Sequence, residues 1–193
     1  MSQTRKTKRK KIAWGITGAG EKLLETVDVM KEIQCKYQNQ VEVRVYLSRA
    51  GQQVVAWYKL LEQLKQSFGK ISVETSANSP FLAGALQMGR YDFLLIAPAT
   101  SNTVAKIANG IADSLLSNSA IMALKAFVPV YVMPTDYEEG TVVTKLNDGR
   151  SLKLSMRKED VDNVAKLRGI KDIIVLESPD EIREVFEKHF DKH

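Results

Sequence analysis

The chain has 193 residues, of which 44% are hydrophobic and 26% are charged, as is typical of a globular domain with a full core. Its single cysteine, Cys35, excludes an intramolecular disulfide and a cysteine-based metal site, and its two histidines are His189 and His193. We therefore expect neither a histidine-based triad nor a zinc site in the body of the chain, and any chemistry should depend on a bound cofactor.

The net charge of +5 comes largely from the N-terminus, which contains Arg5, Lys6, Lys8, Arg9, Lys10 and Lys11. Subtracting these six charges leaves about −1, so the rest of the chain has no strongly basic field. We interpret residues 1–11 as a disordered, solvated tail, with nucleic-acid binding as the alternative, and residues 12–193 as one domain. The apolar runs are too short to span a bilayer and no signal-peptide core follows the tail, so we expect a cytoplasmic protein.

The first predicted strand, residues 12–16, leads into a glycine-rich turn, residues 17–20, and then into apolar residues at helical spacing. Backbone N–H groups in such a turn suit phosphate binding. The spacing G-x-x-G-x-G differs from the dinucleotide fingerprint G-x-G-x-x-G. This turn is therefore equally consistent with a plain connection between a strand and a helix.

Alternating β-branched residues predict a second strand over residues 41–47, followed by another helix. Ser48 stands between the two, where its hydroxyl could bind a phosphate oxygen or cap the helix. A short third strand is predicted over residues 71–74, and a short helix over residues 81–88.

The most informative stretch begins with an unbroken apolar run, residues 93–97, which predicts a fourth strand covered on both faces. We expect Pro98 to end this strand because it lacks an N–H group. The small residues A-T-S-N-T follow, and helical spacing then continues to Ile111, with Asp113 expected to cap the next helix. Since ligands of open parallel sheets bind where strands end and helices begin, this connection is a candidate cofactor loop.

The remaining elements are a helix at 114–126, a strand at 128–133, a hairpin at 141–156, a helix at 159–168, a strand at 173–175 and a final helix from residue 179. The sequence N-D-G marks the hairpin turn. Regular alternation of strands and helices predicts an α/β fold with a doubly wound, mostly parallel, Rossmann-like sheet. The hairpin is expected to be a C-terminal appendage.

Three motifs carry a family resemblance: T-G-A at residues 17–19, P-A-T-S-N-T at residues 98–103 and K-I-A-N-G-I-A-D at residues 106–113. They resemble the flavin-containing cysteine decarboxylase superfamily. The segments W-G-I-T-G-A-G, S-A-N-S-P-F-L-A-G and D-V-D-N-V-x-K-L are most similar to archaeoflavoproteins and the related dihydromethanopterin reductases. The resemblance extends over nearly all of the chain after the tail.

The resemblance implies a Rossmann-like flavoprotein that binds FMN. The amides of Gly18 and Ala19, with the hydroxyls of Thr17 and Ser48, would hold the phosphate. The flavin ring would contact the second motif, which consists of Pro98, Ala99, Thr100, Ser101, Asn102 and Thr103. Asn102 is the strongest candidate because an amide both donates and accepts hydrogen bonds. Helix capping is the alternative role for Asn102 and Thr103.

The chain also departs from the wider superfamily, whose decarboxylases have a catalytic histidine and a P-x-M-N-x-x-M segment. Here residues 134–137 read P-T-D-Y. The resemblance therefore implies electron transfer from an iron–sulfur donor such as ferredoxin to a second acceptor, for which dihydromethanopterin is one candidate. No catalytic side chain is assigned. A decarboxylase or flavin prenyltransferase is the alternative. The family also implies homo-oligomers, commonly trimers or larger, with flavin near subunit interfaces.

Overall fold

The computed structural model describes residues 9–145 and 149–191. The strands are β1 (Lys10–Ile16), β2 (Val41–Leu47), β3 (Ile71–Val73), β4 (Phe93–Ala99), β5 (Val130–Pro134), β6 (Gly140–Lys145), β7 (Ser151–Met156) and β8 (Ile173–Val175). The helices are α1 (Leu23–Lys36), α2 (Arg49–Trp57), α3 (Leu61–Phe68), α4 (Leu82–Gln87), α5 (Ser101–Ala108), α6 (Leu115–Lys125), α7 (Lys158–Arg168) and α8 (Pro179–Phe190).

Six strands form one sheet in the order β3-β2-β1-β4-β5-β8, and every neighbouring pair is parallel. The chain winds outward from β1 in one direction through β2 and β3, and then in the other through β4, β5 and β8. The strand order therefore reverses between β1 and β4. This arrangement confirms the predicted doubly wound sheet, and the crevice beyond the carboxyl ends of β1 and β4 is the usual ligand position in such sheets.

Helices cover both faces of the sheet and bury two apolar clusters. One cluster joins α1, α3 and α8 through residues such as Met30, Leu64 and Phe186. The other joins α4, α5 and α6 through residues such as Leu86, Val104 and Leu116. Every residue of β4 is buried, which explains the unbroken apolar run.

Four local predictions were wrong. The first strand begins at Lys10, so Lys10 and Lys11 belong to β1. β4 continues past Pro98, because the pairing with β5 shifts register there and Ala99 pairs again with Pro134. α5 ends at Ala108, which leaves Ile111 outside it. Ser114 rather than Asp113 caps α6, and the Asp113 carboxylate instead accepts a 2.9 Å hydrogen bond from Lys106.

The predicted hairpin is present as the antiparallel pair β6 and β7, in register from Gly140 opposite Met156 to Lys145 opposite Ser151. Asn147 and Asp148 of its turn lie outside the described residues. Within residues 9–145 and 149–191, no helix is long and apolar enough to cross a membrane. The same residues contain no group of histidine, cysteine and carboxylate side chains that could hold a metal ion.

Candidate functional site

The carboxyl ends of β1 and β4 are joined through Thr17, which is buried. Its hydroxyl donates to the Pro98 carbonyl at 2.8 Å and accepts from the Thr100 N–H at 2.9 Å. Its own backbone N–H also donates to the Pro98 carbonyl, at 3.3 Å. Because these bonds connect the Gly-rich turn to the candidate cofactor loop, the two predicted parts of the site form one connected structure.

The start of α2 packs closely against the turn after β1. Ser48 caps α2 by accepting from the Gly51 N–H at 2.9 Å, and the Ser48 N–H donates to the Ile16 carbonyl at 3.0 Å. A Cβ added at Gly18 would lie 2.7 Å from the Cβ of Ala50. Gly18 therefore permits a backbone approach that a larger residue would prevent.

Ser48 caps α2, which was one of the two roles predicted for it. In the capping bond its side-chain oxygen is the acceptor, so its hydroxyl proton is not used. Within the described part of the chain, the Ser48 hydroxyl proton has no acceptor. A capping serine can therefore still donate to a bound anion, and capping and phosphate binding are compatible here. The N-terminal end of α2 adds a positive partial charge at the same position.

α5 begins at the candidate cofactor loop, and Thr100 is its cap. The Thr100 hydroxyl accepts from the Thr103 N–H at 3.3 Å and is 3.1 Å from the Thr103 hydroxyl. Asn102 is exposed, and among the described residues its side chain has no hydrogen-bond partner. Neither Asn102 nor Thr103 is the cap, so the capping alternative does not account for Asn102.

The ten predicted site residues divide into two groups by burial. The buried group, which can support the site but offers little surface to a ligand, consists of Thr17, Ala19, Pro98, Ala99 and Thr103. The accessible group consists of Gly18, Ser48, Thr100, Ser101 and Asn102. Because the Thr17 proton is already donated to Pro98, Thr17 is not free to donate to a phosphate. Its position suits a supporting role, whereas Ser48 and Asn102 have polar atoms to offer.

Glu74 is a supporting residue that the sequence patterns did not reveal. It follows β3, and its two carboxylate oxygens accept from the first N–H groups of two helices, Arg49 of α2 at 3.1 Å and Leu115 of α6 at 2.9 Å. A carboxylate at two helix N-termini is favoured by both helix dipoles. Glu74 therefore helps to fix where α2 begins. The one sequence signal for this role is that Glu74 directly follows a strand.

Acidic side chains also adjoin the site, which the sequence patterns missed. Asp136, just after β5, accepts a hydrogen bond from the Ser101 hydroxyl. Burial raises the pKa of the Glu21 carboxyl, the charge of Lys22 opposes this shift, and the charge of Asp136 adds to it. Burial lowers the pKa of Lys22, whose ammonium donates to the Glu177 carbonyl at 2.8 Å and lies 4.2 Å from the centre of the Tyr137 ring.

These features fit an anionic ligand with a polar, hydrogen-bonding ring. Two helices, α2 and α5, begin at the carboxyl ends of strands on either side of β1. Their N-terminal ends and the free Ser48 hydroxyl proton suit a phosphate. The free Asn102 amide and the hydroxyl-lined start of α5 suit a ring edge that carries both donors and acceptors.

Comparison with known proteins gives three related findings. The chain matches the Flavoprotein family over residues 1–180. It is 51% identical over 181 residues to an uncharacterised protein of Methanocaldococcus jannaschii, covering 94% of this chain and 96% of the relative. It is 34% identical to dihydromethanopterin reductase (acceptor) of the same organism, covering 91% and 95% of the two chains.

The fold is similar to that of DmrB from Burkholderia xenovorans, which was crystallised with FMN and is described as a cubic protein cage for redox transfer. The two structures agree with a TM-score of 0.79 at 31% sequence identity, covering 94% of this chain and 96% of DmrB.

Proposed function

The chain belongs to the Flavoprotein family, and we propose that it binds FMN and transfers electrons from an iron–sulfur donor such as ferredoxin to a second acceptor. The observation that carries this proposal is the joining of the Gly-rich turn and the start of α5 through Thr17, with free polar groups of Ser48 and Asn102 beside them. The FMN found in DmrB supports the choice of cofactor.

Different residues would bind the phosphate and the ring of the cofactor. The amides of Gly18 and Ala19, the Ser48 hydroxyl and the N-terminal end of α2 would hold the phosphate. Thr100, Ser101 and Asn102 would hydrogen-bond the ring edge, above the buried Pro98 and Ala99. Thr17 would keep these two regions at a fixed separation through its bonds to Pro98 and Thr100.

Redox chemistry suits this site better than decarboxylation. FMN, when bound, supplies reversible electron transfer, and the protein then sets its position and surroundings. A decarboxylase of this superfamily would need a histidine at the site. The histidine in the described part of the chain is His189, in α8. Its ring forms a hydrogen bond with Tyr131 and packs against Phe93, the first residue of β4. It therefore lies at the amino ends of the strands, away from the candidate site at their carboxyl ends.

We further propose that the acceptor is a dihydropterin, with dihydromethanopterin as the first compound to test. The support is the relative named dihydromethanopterin reductase (acceptor), which the chain covers almost completely. The chain should also form a homo-oligomer, a trimer or larger, as the cubic assembly of DmrB suggests. Phe81, 63% exposed in the segment 76–81, is a candidate contact with a neighbouring subunit's flavin.

An anaerobic reduction experiment tests the proposed electron route. Reduced ferredoxin should bleach the flavin absorbance of the FMN-loaded protein, and subsequent addition of dihydromethanopterin should restore it. If the flavin is bleached but only another acceptor restores it, the pterin assignment is wrong and the redox function stands. If ferredoxin leaves the flavin oxidised while dithionite reduces it, the proposed donor is wrong.

A further inference from the structure

A hydrogen bond between Ser101 and Asp136 connects the start of α5 to the segment after β5, at the carboxyl ends of the strands. Ser101 is the first residue of α5, after β4, and Asp136 lies two residues after β5. Both side chains are partly buried, and the Ser101 hydroxyl donates its proton to an Asp136 carboxylate oxygen. This contact places a carboxylate one side chain away from the loop that is proposed to hold the flavin ring.

The hydrogen bond defines what Ser101 can offer to a ligand. An ionised carboxylate only accepts hydrogen bonds, so the serine must be the donor. Its proton is then committed, and the Ser101 oxygen retains acceptor capacity alone. A ligand at this point would therefore need to present an N–H or O–H group.

Among the described residues Asp136 forms no ion pair, although the N-terminal end of α5 beside it favours its charge. Glu21, from the segment before α1, adds a second carboxyl. Lys22 is turned to the Glu177 carbonyl and the Tyr137 ring. Arg157, at the start of α7, interacts with Asp136 at longer range but forms its hydrogen bonds with Asp160, at 2.7 and 2.8 Å.

Building on the proposed FMN function, we propose that Asp136 is a positioning residue for the flavin. Its carboxylate fixes Ser101 as an acceptor toward an N–H group of the ring, and its negative charge lowers the reduction potential of the bound cofactor. Two-electron reduction adds two electrons and one proton to FMN and leaves an extra negative charge on the ring. A nearby carboxylate repels that charge, so it weakens binding of the reduced form relative to the oxidised form.

Three substitutions separate the charge from the hydrogen bond. Asp136→Asn removes the charge and keeps an oxygen that can accept from Ser101, whereas Ser101→Ala removes the bond and keeps the charge. Glu138→Gln is the control, because it removes the same charge from an exposed side chain two residues further along. Dissociation constants for oxidised FMN are measured by fluorescence quenching, midpoint potentials by equilibrium dye titration, and folding by thermal unfolding.

Asp136→Asn should bind oxidised FMN about as well as the wild type and reduced FMN roughly tenfold more tightly, which raises the midpoint potential by about 30 mV. Ser101→Ala should weaken oxidised FMN binding roughly tenfold with a smaller change in potential. Glu138→Gln should change neither. Folded Asp136→Asn protein with an unchanged potential would overturn this inference and leave FMN binding intact, whereas wild-type protein that does not bind FMN would overturn both.

Discussion

The Thr17 hydroxyl donates a 2.8 Å hydrogen bond to the Pro98 carbonyl, across 81 residues of chain. The bond is buried and lies where the strand order of the sheet reverses. Because the same hydroxyl accepts from the Thr100 N–H, it fixes the end of β1 against the start of α5. Two of the three motifs that carry the family resemblance, residues 17–19 and 98–103, are thus held together by one side chain.

Replacing Thr17 with valine should therefore damage both stability and cofactor binding. Valine has nearly the same shape but leaves the partly buried Thr100 N–H without its partner. We expect a loss of about 1–3 kcal/mol in the free energy of unfolding, measured with urea, and weaker FMN binding. Thr17→Ser keeps the hydroxyl and is the control. A valine variant that keeps the stability and FMN affinity of the wild type would show that these hydrogen bonds do not matter.

Asn102 should behave in the opposite way, affecting binding without affecting stability. Its side chain is exposed and has no partner among the described residues. Asn102→Ala should therefore unfold within about 0.5 kcal/mol of the wild type and bind FMN about tenfold more weakly. Gln66→Ala, an exposed amide in α3, controls for loss of a surface amide. Unchanged FMN affinity in Asn102→Ala would remove this residue from the site.

The close approach of Gly18 to Ala50 of α2 predicts that a substitution at Gly18 can be compensated by a second substitution at Ala50. Gly18→Ala would place a methyl group 2.7 Å from the Ala50 Cβ, and overpacking of this kind costs about 1–3 kcal/mol. The turn should shift and FMN affinity should fall. Adding Ala50→Gly removes the opposing methyl group and should restore affinity, although glycine in α2 costs about 1 kcal/mol of stability. A double variant no better than Gly18→Ala would refute this account of the glycine.

His189 should make the fold less stable in mild acid. Burial, followed by the charges of Lys10 and Lys188, lowers the pKa of His189 below its ordinary value of 6.5, and Asp92 only partly opposes this. The unfolded chain therefore binds more protons in the interval between the two pKa values, and stability decreases as the pH falls from about 6.5 through the folded-state pKa. This prediction concerns folding and is independent of the flavin site.

Comparing the free energy of unfolding at pH 8 and pH 5 for the wild type and His189→Gln checks this effect. The wild type should lose more stability over that interval than the variant does. Parallel losses in both proteins would assign the acid sensitivity to other groups.

The sequence predicted the strands well because their burial requires apolar or β-branched runs, as in residues 93–97 and 41–47. It could not reveal where β4 ends, since Pro98 lacks an N–H but the strand resumes pairing at Ala99 through a shift in register. The α6 cap was misplaced by one residue, because Asp113 and Ser114 are both favourable capping residues and only their surroundings decide between them.

At the site, sequence motifs identified the connecting segments but not the contacts between them. Which of these residues are buried and which are accessible depends on packing. The T-G-A motif suggested that Thr17 binds the phosphate directly, whereas Thr17 is buried in the structure. Glu74 and Asp136 were missed because each acts on residues at least 25 positions away, and an isolated carboxylate after a strand has no distinctive pattern.

The central claim is that the edge formed by Thr17, Ser48 and residues 98–103 binds FMN. Titration of flavin-free protein with FMN, followed by fluorescence quenching, tests it most directly. We predict saturable quenching at one FMN per chain, with weaker binding by Asn102→Ala and by Ser48→Ala. Folded wild-type protein that leaves FMN fluorescence unchanged, or variants that bind FMN as tightly as the wild type, would contradict the account.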